Sequence, residues 1–416
     1  MIYKWPILFL LLLPCSLNLA ARTILVHPGN NKPISAAIYD ASSGDSIMVS
    51  EGTYKEGNIV VNKPVFLIGL NMPVLDGELR YEIMTITSNF VIVDGFHFQN
   101  SGSSSYDDIA ALRILQSGHI LIRNNRFDHT FFGIYCQHAY SSTISNNRLH
   151  STAIDESSSA NGIHCWKSEN MLIINNDISG HRDGIYFEFV TNSVIRGNVS
   201  HGNARYGLHF MFSHDNSFLH NAFKDNGAGV AVMYSHGVIM LNNLFANNWG
   251  QAAYGILMKD ITDSRVEFND FYRNTVSIHM EGSNRINITG NIFRQNGWAI
   301  MIQASCTDNI IRGNNFINNS FDIATNGSLQ LNQFTGNYWD KYEGYDLDRN
   351  GTGDIPYRPV SMYSMIVERN PASLILLRSF MTGLMDKAEK VIPSLTPEQL
   401  KDTEPSMRPF TLIHYR

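Results

Sequence analysis

A tetrad built around Asn and ending in an aromatic or aliphatic residue recurs through most of this chain. The tetrads are NNRF at Asn124, NNRL at Asn146, NNDI at Asn175, HNAF at His220, NNLF at Asn242, FNDF at Phe268, GNIF at Gly290, GNNF at Gly313 and LNQF at Leu331, with a shortened GNV at Gly197. Their second positions fall at 125, 147, 176, 198, 221, 243, 269, 291, 314 and 332, so most spacings are 22 or 23 residues. A fixed period of this length is the signature of a repeat architecture.

Each repeat is too short to bury its own apolar residues. The unit holds short β-branched runs and polar corners but no amphipathic segment of helix length, so its apolar side chains can be covered only by neighbouring copies. Stacked coils would lie about 4.8 Å apart in parallel register, with inward aliphatic and Phe ladders and Asn at left-handed corners. The sequence therefore predicts an all-β fold, a parallel β-helix over residues 22–345. Its general resemblance to secreted solenoids implies a right-handed one.

The N-terminus predicts export and a cap. Lys4, the apolar run from Ile7 to Leu13 and a small residue near position 21 indicate a signal peptide over residues 1–21, and hence a mature protein outside the cytoplasm. Three cysteines then remain, and an odd count argues against a disulfide framework. The stretch from Ile34 to Ala41 predicts a short amphipathic helix, like the cap of pectate-lyase-like solenoids.

The C-terminus changes character after the repeats end. Residues 346–361 form an Asp- and Gly-rich connecting loop, and helical periodicity begins near Met362 and continues to Val391. One stripe of these helices carries Leu374, Leu377, Phe380, Met381 and Leu384. Residues 362–416 therefore predict a C-terminal helical extension that either caps the last coil or docks on another protein.

One strand of each coil opens with a small residue and carries the chain's unusual side chains. The sextets are GIYCQH at Gly133, GIHCWK at Gly162, GIYFEF at Gly184, GLHFMF at Gly207, GVAVMY at Gly229, GILMKD at Gly255, SIHMEG at Ser277 and AIMIQA at Ala299. Alternation sends the second and fourth positions inward, so Cys136 and Cys165 are expected to be inert core residues. The third and fifth positions are expected to face solvent.

Five residues of this outward face suggest a soft metal site. His209, Met211 and Met233 project from adjacent coils, and the repeated MFSH and MYSH segments place His214 and His236 at the following corner. Thioether and imidazole together favour Cu(I) over hard cations. His164 and Glu188 are secondary candidates on the same face. Scattered surface residues without a metal are the alternative that the spacing leaves open.

Two other constellations carry weaker predictions. The segment DLDRNGTGD resembles a short calcium loop but lacks the glutamate of a full EF-hand, with Tyr357 in that place. Its expected calcium ligands are Asp346, Asp348, Asn350 and Asp354, and a structural turn without calcium is the alternative. A second set of residues, on the same outward face as His209 and Met211, could form a carbohydrate-cleaving cluster. Sugar chemistry needs paired carboxylates or a carboxylate with a basic residue. That set contains His181, Arg182, Asp183, Glu188 and Arg205.

Four segments resemble the NosD family, the periplasmic accessory proteins of nitrous oxide reductase maturation. They are ARYGLHFMFSHDN, GAGVAVMYSHG, GNYWDKYEGYDLDRNGTGDIPYRPV and the closing NPASLILLRSFMTGLMDKAEKVIPSLTPEQLKDTEPSMRPF. The resemblance covers nearly the whole mature chain, and the closing segment is its most specific part, because solenoid repeats are shared with many carbohydrate-active proteins.

The resemblance implies a function in copper delivery. It implies a periplasmic β-helix, peripheral to the inner membrane, that contacts the ABC transporter made of NosF and NosY through its C-terminal helices. It also implies that transiently bound Cu(I) comes from the chaperone NosL and serves assembly of the copper centres of nitrous oxide reductase, NosZ. The alternatives are a secreted polysaccharide lyase, epimerase or hydrolase, and a metal-free scaffold. The net charge of −6, from 31 Lys and Arg against 37 Asp and Glu, argues against a nucleic-acid partner.

Overall fold

Three long parallel sheets wind around one apolar core. The computed structural model describes residues 21–29, 32–104, 106–152, 159–327, 331–377, 379–391 and 400–411, so residues 1–20 of the predicted signal peptide lie outside the described residues. Within those ranges the sheets have 14, 13 and 12 strands, stacked in about 13 turns. Each coil adds one strand to each sheet, which confirms the predicted all-β parallel β-helix.

The strands of each sheet follow one another along the solenoid axis. The first sheet contains Thr23–Val26, Ser46–Val49, Phe66–Gly69, Ile92–Asp94, Leu121–Arg123, Thr143–Ser145, Leu172–Ile174, Val194–Arg196, Ser217–Leu219, Ile239–Leu241, Arg265–Glu267, Asn287–Thr289, Thr307–Arg312 and Leu331–Thr335. The second sheet contains Thr53–Tyr54, Val74–Asp76, His97–Gln99, Arg126–Asp128, Arg148–His150, Asp177–Ser179, Val199–His201, Ala222–Lys224, Leu244–Ala246, Asp270–Tyr272, Ile292–Arg294, Asn315–Ile317 and Tyr338–Trp339. The third sheet contains Ile59–Val61, Met84–Ile86, Ala110–Leu115, Phe132–Gln137, Ile163–Trp166, Ile185–Glu188, Tyr206–Met211, Ala228–Met233, Tyr254–Lys259, Val276–Glu281, Trp298–Ile302 and Phe321–Thr325.

The core consists of ladders of like side chains. Phe245, Phe271, Phe293 and Phe316 stack with ring centroids 4.8 to 4.9 Å apart, close to the spacing of neighbouring strands. Cys136 lies in register with Cys165, and both are fully buried, as predicted for inert core residues. Burial raises the pKa of the Cys165 thiol, which keeps it protonated.

A second ladder is built from the Asn residues of the repeated tetrad. The first Asn of a pair takes the left-handed conformation at the corner, as at Asn124 with φ 55°, whereas the second is buried. The Nδ2 of Asn125 donates to Oδ1 of Asn147 in the next coil at 3.1 Å and to the carbonyl of Val93 in the previous coil at 3.0 Å. Each buried amide therefore ties three coils together.

Both ends of the solenoid are closed by other structure. At the N-terminal end, helix α1 (Pro33–Asp40) lies one residue from its predicted position, and Glu56 accepts the N–H groups of Ile34 and Ser35 at its first turn. At the C-terminal end, Asp402 replaces the next Asn of the ladder and accepts bonds from Asn337. Residues 400–411 thus return to the last coil, which the prediction of a helical segment over 362–416 missed.

The C-terminal helices lie against the outside of the third sheet. They are α2 (Met362–Arg369), a 3₁₀ segment (Pro371–Leu376) and α3 (Phe380–Val391). Tyr363 and Val367 of α2 pack against Phe321 and Trp298, whose rings stack at 4.1 Å. None of the helices within the described residues combines the length and apolarity that crossing a bilayer requires.

Candidate functional site

The outward columns of the third sheet form in the predicted register. Tyr135, His164, Tyr186 and His209 lie opposite one another in successive coils, and Glu188, Met211 and Met233 do the same in the next column. Strand alternation therefore located both columns.

The prediction that the first column faces solvent was wrong for Tyr135, His164 and His209. The side chains of Tyr135, His164 and His209 are exposed by only 5%, 8% and 6%. Their rings pack along the column, with centroids 4.5 Å apart for Tyr135 and His164 and 4.8 Å apart for Tyr186 and His209. Phe132 covers one end of this stack at 5.4 Å from Tyr135. The side chains thus point away from the solenoid core into a second buried layer.

His209 sits in the most polar part of that layer. Its Nδ1 lies 3.4 Å from the Asp183 carboxylate, which is fully buried and accepts two bonds from Arg205 at 2.9 and 2.5 Å. Burial alone would raise the pKa of Asp183, but the bonds from Arg205 and His209 lower it to about 2. The sequence pattern placed Asp183 and Arg205 in a carbohydrate-cleaving cluster and did not predict their contact with His209.

The two methionines lie beside His209 on the same face. Met211 follows His209 by two residues on one strand, and Met233 is the register partner of Met211 in the next coil. Both methionines are half-buried. Neighbours at these positions are within reach of long side chains. Glu188 lies opposite Met211 on the other side, and its carboxylate accepts the Tyr186 hydroxyl at 3.4 Å. The register therefore places His209, Met211 and Met233 at neighbouring positions of the third sheet.

The second pair of predicted ligands lies around the corner from this patch. His214 and His236 stack with centroids 4.1 Å apart and an interplanar angle of 8°. The Nδ1 of His214 accepts the backbone N–H of His236 at 3.3 Å, and burial, then the neighbouring His236, lowers the pKa of His214. The buried Ser213 separates the pair from Met211 along the chain. Five predicted ligands thus form two groups rather than one cluster.

An exposed aromatic row runs between the two groups. Phe189, Phe212 and Tyr234 occupy the left-handed corner positions of successive coils, and their rings stack at 5.3 and 5.0 Å. The secondary candidate His164 is far from this row: it lies two coils before His209, next to Asn161. Within the described residues no three His, Cys, Asp or Glu side chains lie close enough together to hold a metal ion.

The structure does not assemble the predicted carbohydrate-cleaving cluster. His181 is fully buried on the corner between the second and third sheets, with Asn203 Oδ1 accepting its backbone N–H. The Asp183 carboxylate is paired with the Arg205 guanidinium. Glu188 lies in a different column, beside Trp166 and Met211. These residues therefore do not place a general acid and a general base so that both face one substrate.

The predicted calcium ligands are explained by turn geometry. Asp346 accepts the backbone N–H groups of Asn350 and Gly351 at 3.1 and 2.9 Å, and Asp354 accepts that of Leu347 at 2.7 Å. Asp348 binds the Asn350 side chain at 3.0 Å. These are the local bonds that Asp makes in turns, so the calcium expectation finds no support.

Comparison with solved structures defines the class of protein as a parallel β-helix. The A-module of mannuronan C-5 epimerase AlgE4 from Azotobacter vinelandii superposes with a TM-score of 0.53 at 16% identity, over 74% of this chain and 88% of that one. The catalytic unit of a GH87 α-1,3-glucanase from Streptomyces thermodiastaticus gives 0.61 at 12% identity, over 76% and 69%. At these identities the likeness shows the fold alone.

Sequence comparison then finds similarity to one family within that class. Residues 149–344 match the family model "Periplasmic copper-binding protein (NosD)". A probable ABC transporter binding protein NosD from Pseudomonas aeruginosa is 28% identical, over 97% of this chain and 95% of its own length. One from Stutzerimonas stutzeri is 25% identical over 85% of each chain. The chain is thus similar to NosD proteins over nearly its whole length, which confirms the predicted resemblance.

Proposed function

We propose that this protein is a periplasmic copper carrier that binds Cu(I) transiently and passes it on for assembly of the copper centres of nitrous oxide reductase. The observation that carries the proposal is the neighbouring placement of His209, Met211 and Met233 on the third sheet of a chain that matches the NosD family model over residues 149–344. Thioether and imidazole ligands select Cu(I). We take His214 and His236 as a second, corner group of ligands, with His164 and Glu188 as neighbours.

The patch suits a metal that must be released. Both thioethers are half-buried, so a donor or acceptor protein can reach them from solvent. A closed four-ligand cage would instead hold the ion as a structural site does. The donor and acceptor implied by the family resemblance are NosL and nitrous oxide reductase, NosZ.

The C-terminal segment is the proposed contact with an ABC transporter made of NosF and NosY. The 3₁₀ segment and α3 expose apolar side chains that a free surface rarely carries together. These include Leu374 at 44%, Ile375 at 88%, Leu377 at 40%, Phe380 at 86%, Met381 at 47% and Leu384 at 49%. The curated relatives named as probable ABC transporter binding proteins support this proposal. The contact would hold the protein at the periplasmic face of the inner membrane.

An anaerobic Cu(I) titration tests the ligand assignment. We expect the Met211→Ala, Met233→Ala double variant to lose more than about 100-fold in Cu(I) affinity, beyond what loss of one supporting partner costs. The matched control is Met48→Ala with Met72→Ala, which removes two thioethers from the outside of the N-terminal coils. Equal affinity of wild type and the Met211, Met233 variant would contradict the proposal.

Enzymatic turnover is the competing proposal, because the epimerase and glucanase modules share the fold. We propose that the protein does not turn over a glycan, because the Asp183 carboxylate is paired with Arg205 and Glu188 accepts the Tyr186 hydroxyl. The purified protein is incubated with alginate and with α-1,3-glucan, and products are measured by NMR and reducing-end assay. New reducing ends, unsaturated uronates or epimerised residues would support an enzyme instead.

A further inference from the structure

We propose that Asp183 is a positioning residue for His209: it holds the Nδ1–H tautomer, so that Nε2 offers its lone pair to Cu(I). This inference rests on the copper function proposed above. It concerns which ring nitrogen carries the proton, which decides whether His209 can act as a ligand at all. A neutral imidazole binds a metal only through the nitrogen without a proton.

The carboxylate of Asp183 is fixed from every side that the structure describes. It is fully buried, its Oδ1 accepts Arg205 Nε at 2.9 Å and the Tyr206 backbone N–H at 3.2 Å, and its Oδ2 accepts Arg205 Nη2 at 2.5 Å. Two bonds from one guanidinium and one from a backbone N–H favour the ionised form of this carboxylate. An ionised carboxylate can only accept hydrogen bonds.

Two groups lie near the Nδ1 of His209, and they favour opposite tautomers. Asp183 Oδ2 and Arg205 Nη2 are both 3.4 Å away. Arg205 Nη2 makes its shorter bond to Asp183, whereas an Nδ1–H of His209 would donate a charge-assisted bond to the carboxylate. A lone pair at Nδ1 would instead face a buried anion.

Another imidazole of the column, that of His164, provides an internal contrast. Arg182 donates to Asn161 Oδ1 at 3.2 Å, which orients that amide so that its Nδ2 donates to His164 Nδ1 at 3.4 Å. The proton of His164 must then be on Nε2. His164 and His209 thus carry opposite tautomers in one column.

The Nε2 atom of His209 is left for a ligand. It is buried and has no hydrogen-bond partner among the residues that the structure describes, although such atoms are normally paired. The rings of Tyr186 and Tyr206 flank the imidazole at 4.8 Å, and Met211 follows two residues later. A carboxylate behind a histidine is the usual support of a metal ligand, because it fixes the tautomer and orientation of the ring.

Long-range ¹H–¹⁵N NMR of the histidine-labelled wild type, without metal, tests the tautomer directly. We expect His209 as Nδ1–H and His164 as Nε2–H, with signals assigned by their loss in His209→Gln and His164→Gln variants. A His209 signal of the Nε2–H tautomer would overturn the role of Asp183. This measurement needs no change at Asp183, so it does not depend on whether an Asp183 variant folds.

Anaerobic addition of Cu(I) to the same samples tests the metal role. We expect the Nε2 signal of His209 to shift and that of His164 to stay, and Asp183→Asn to weaken Cu(I) binding by about 10- to 100-fold. Asp322→Asn, which alters another buried carboxylate, paired with Lys341 at 3.2 Å, should leave the affinity unchanged. A wild type that takes up no Cu(I) overturns the proposed function itself. Cu(I) uptake with equal affinity in Asp183→Asn overturns only the positioning role.

Discussion

His164, His181 and His209 are buried imidazoles, and their surroundings differ enough to give them different chemistry. His209 has a carboxylate at Nδ1, and His164 has an amide. His181 has no hydrogen-bond partner at either ring nitrogen among the described residues, although it is fully buried. Burial, and then the neighbouring His150, lowers its pKa to about 3. A buried imidazole that stays neutral lowers the free energy of unfolding at any pH where the same imidazole is protonated in the unfolded chain.

We expect His181 and His164 to make the fold less stable as the pH falls below about 6.5, the ordinary value for histidine. Between pH 6.5 and about 3 the unfolded chain binds a proton at each position that the folded chain does not. Stability therefore rises with pH in this window, by up to about 1.4 kcal/mol per pH unit for each ring. Above pH 6.5 both states are neutral and the contribution is constant. Chemical denaturation at several pH values between 6.5 and 4.5 measures the slope.

His181→Asn is the matched variant for this prediction. Asn203 and Asn226 occupy the same ladder position in the next two coils, so the fold already accepts Asn there. The variant should reduce the slope of the free energy of unfolding against pH by the amount due to one proton. Its free energy of unfolding at pH 8 should be equal to or higher than that of the wild type. An unchanged slope would show that His181 is protonated in the folded state or masked by other groups.

At the scale of elements, each part of the third sheet has a different cover. The aromatic stack around His164 and His209 covers the coils near Tyr135, and α2 covers the coils near Phe321. The 3₁₀ segment and α3 extend this cover but leave their own apolar side chains in solvent. A helix that only capped the solenoid would bury such residues, because their burial is what stabilises a cap.

We expect Ile375→Ser with Phe380→Ser to abolish binding to the ABC transporter while leaving the fold intact. Both side chains are more than 80% exposed, so their loss should change the free energy of unfolding by less than about 0.5 kcal/mol. As interface anchors they would each cost about 2 kcal/mol or more of binding. Co-purification from membranes and thermal unfolding are measured together.

Tyr39→Ser with Leu79→Ser is the control for this docking surface. These residues are 82% and 69% exposed near the N-terminal end of the solenoid, so the pair removes comparable apolar area elsewhere. The control should keep the transporter contact. Equal co-purification of both variants would place the contact outside the 3₁₀ segment and α3.

At the scale of the whole molecule, the repeat predicted the architecture, and the departures from the repeat were what it missed. A period of 22 or 23 residues gave coil number, register and the inward or outward direction of Cys136 and Met211. The burial of His209 depends on Tyr186, Tyr206 and Asp183, which come from different coils and do not repeat. The return of residues 400–411 rests on bonds from Asp402 and Phe410 to the last coils, and both residues are far from the repeats in sequence. Such contacts have no period, so periodicity could not predict them.

The bonds by which Asp402 closes the last coil should affect the stability of the whole solenoid. Its Oδ2 accepts the N–H and Nδ2 of Asn337 at 2.9 Å each and the indole Nε1 of Trp339 at 3.0 Å. Asp402→Ala would leave these donors buried without a partner, at about 1 to 3 kcal/mol each before water enters. Because coils contact only their neighbours, the damage should spread from the last coil and fade toward the first.

Hydrogen exchange resolves this gradient. Amides of the last coils, near Trp339, should lose protection in Asp402→Ala, whereas those near Val49 should keep it. Asp348→Ala, an exposed turn carboxylate in the neighbouring loop, is the control and should leave both ends protected. Since an uncapped coil presents open strand edges, the variant should also associate end to end, which light scattering detects. Uniform loss of protection along the chain would instead mean that the solenoid unfolds as one cooperative unit, and that its coils are coupled more strongly than nearest-neighbour stacking requires.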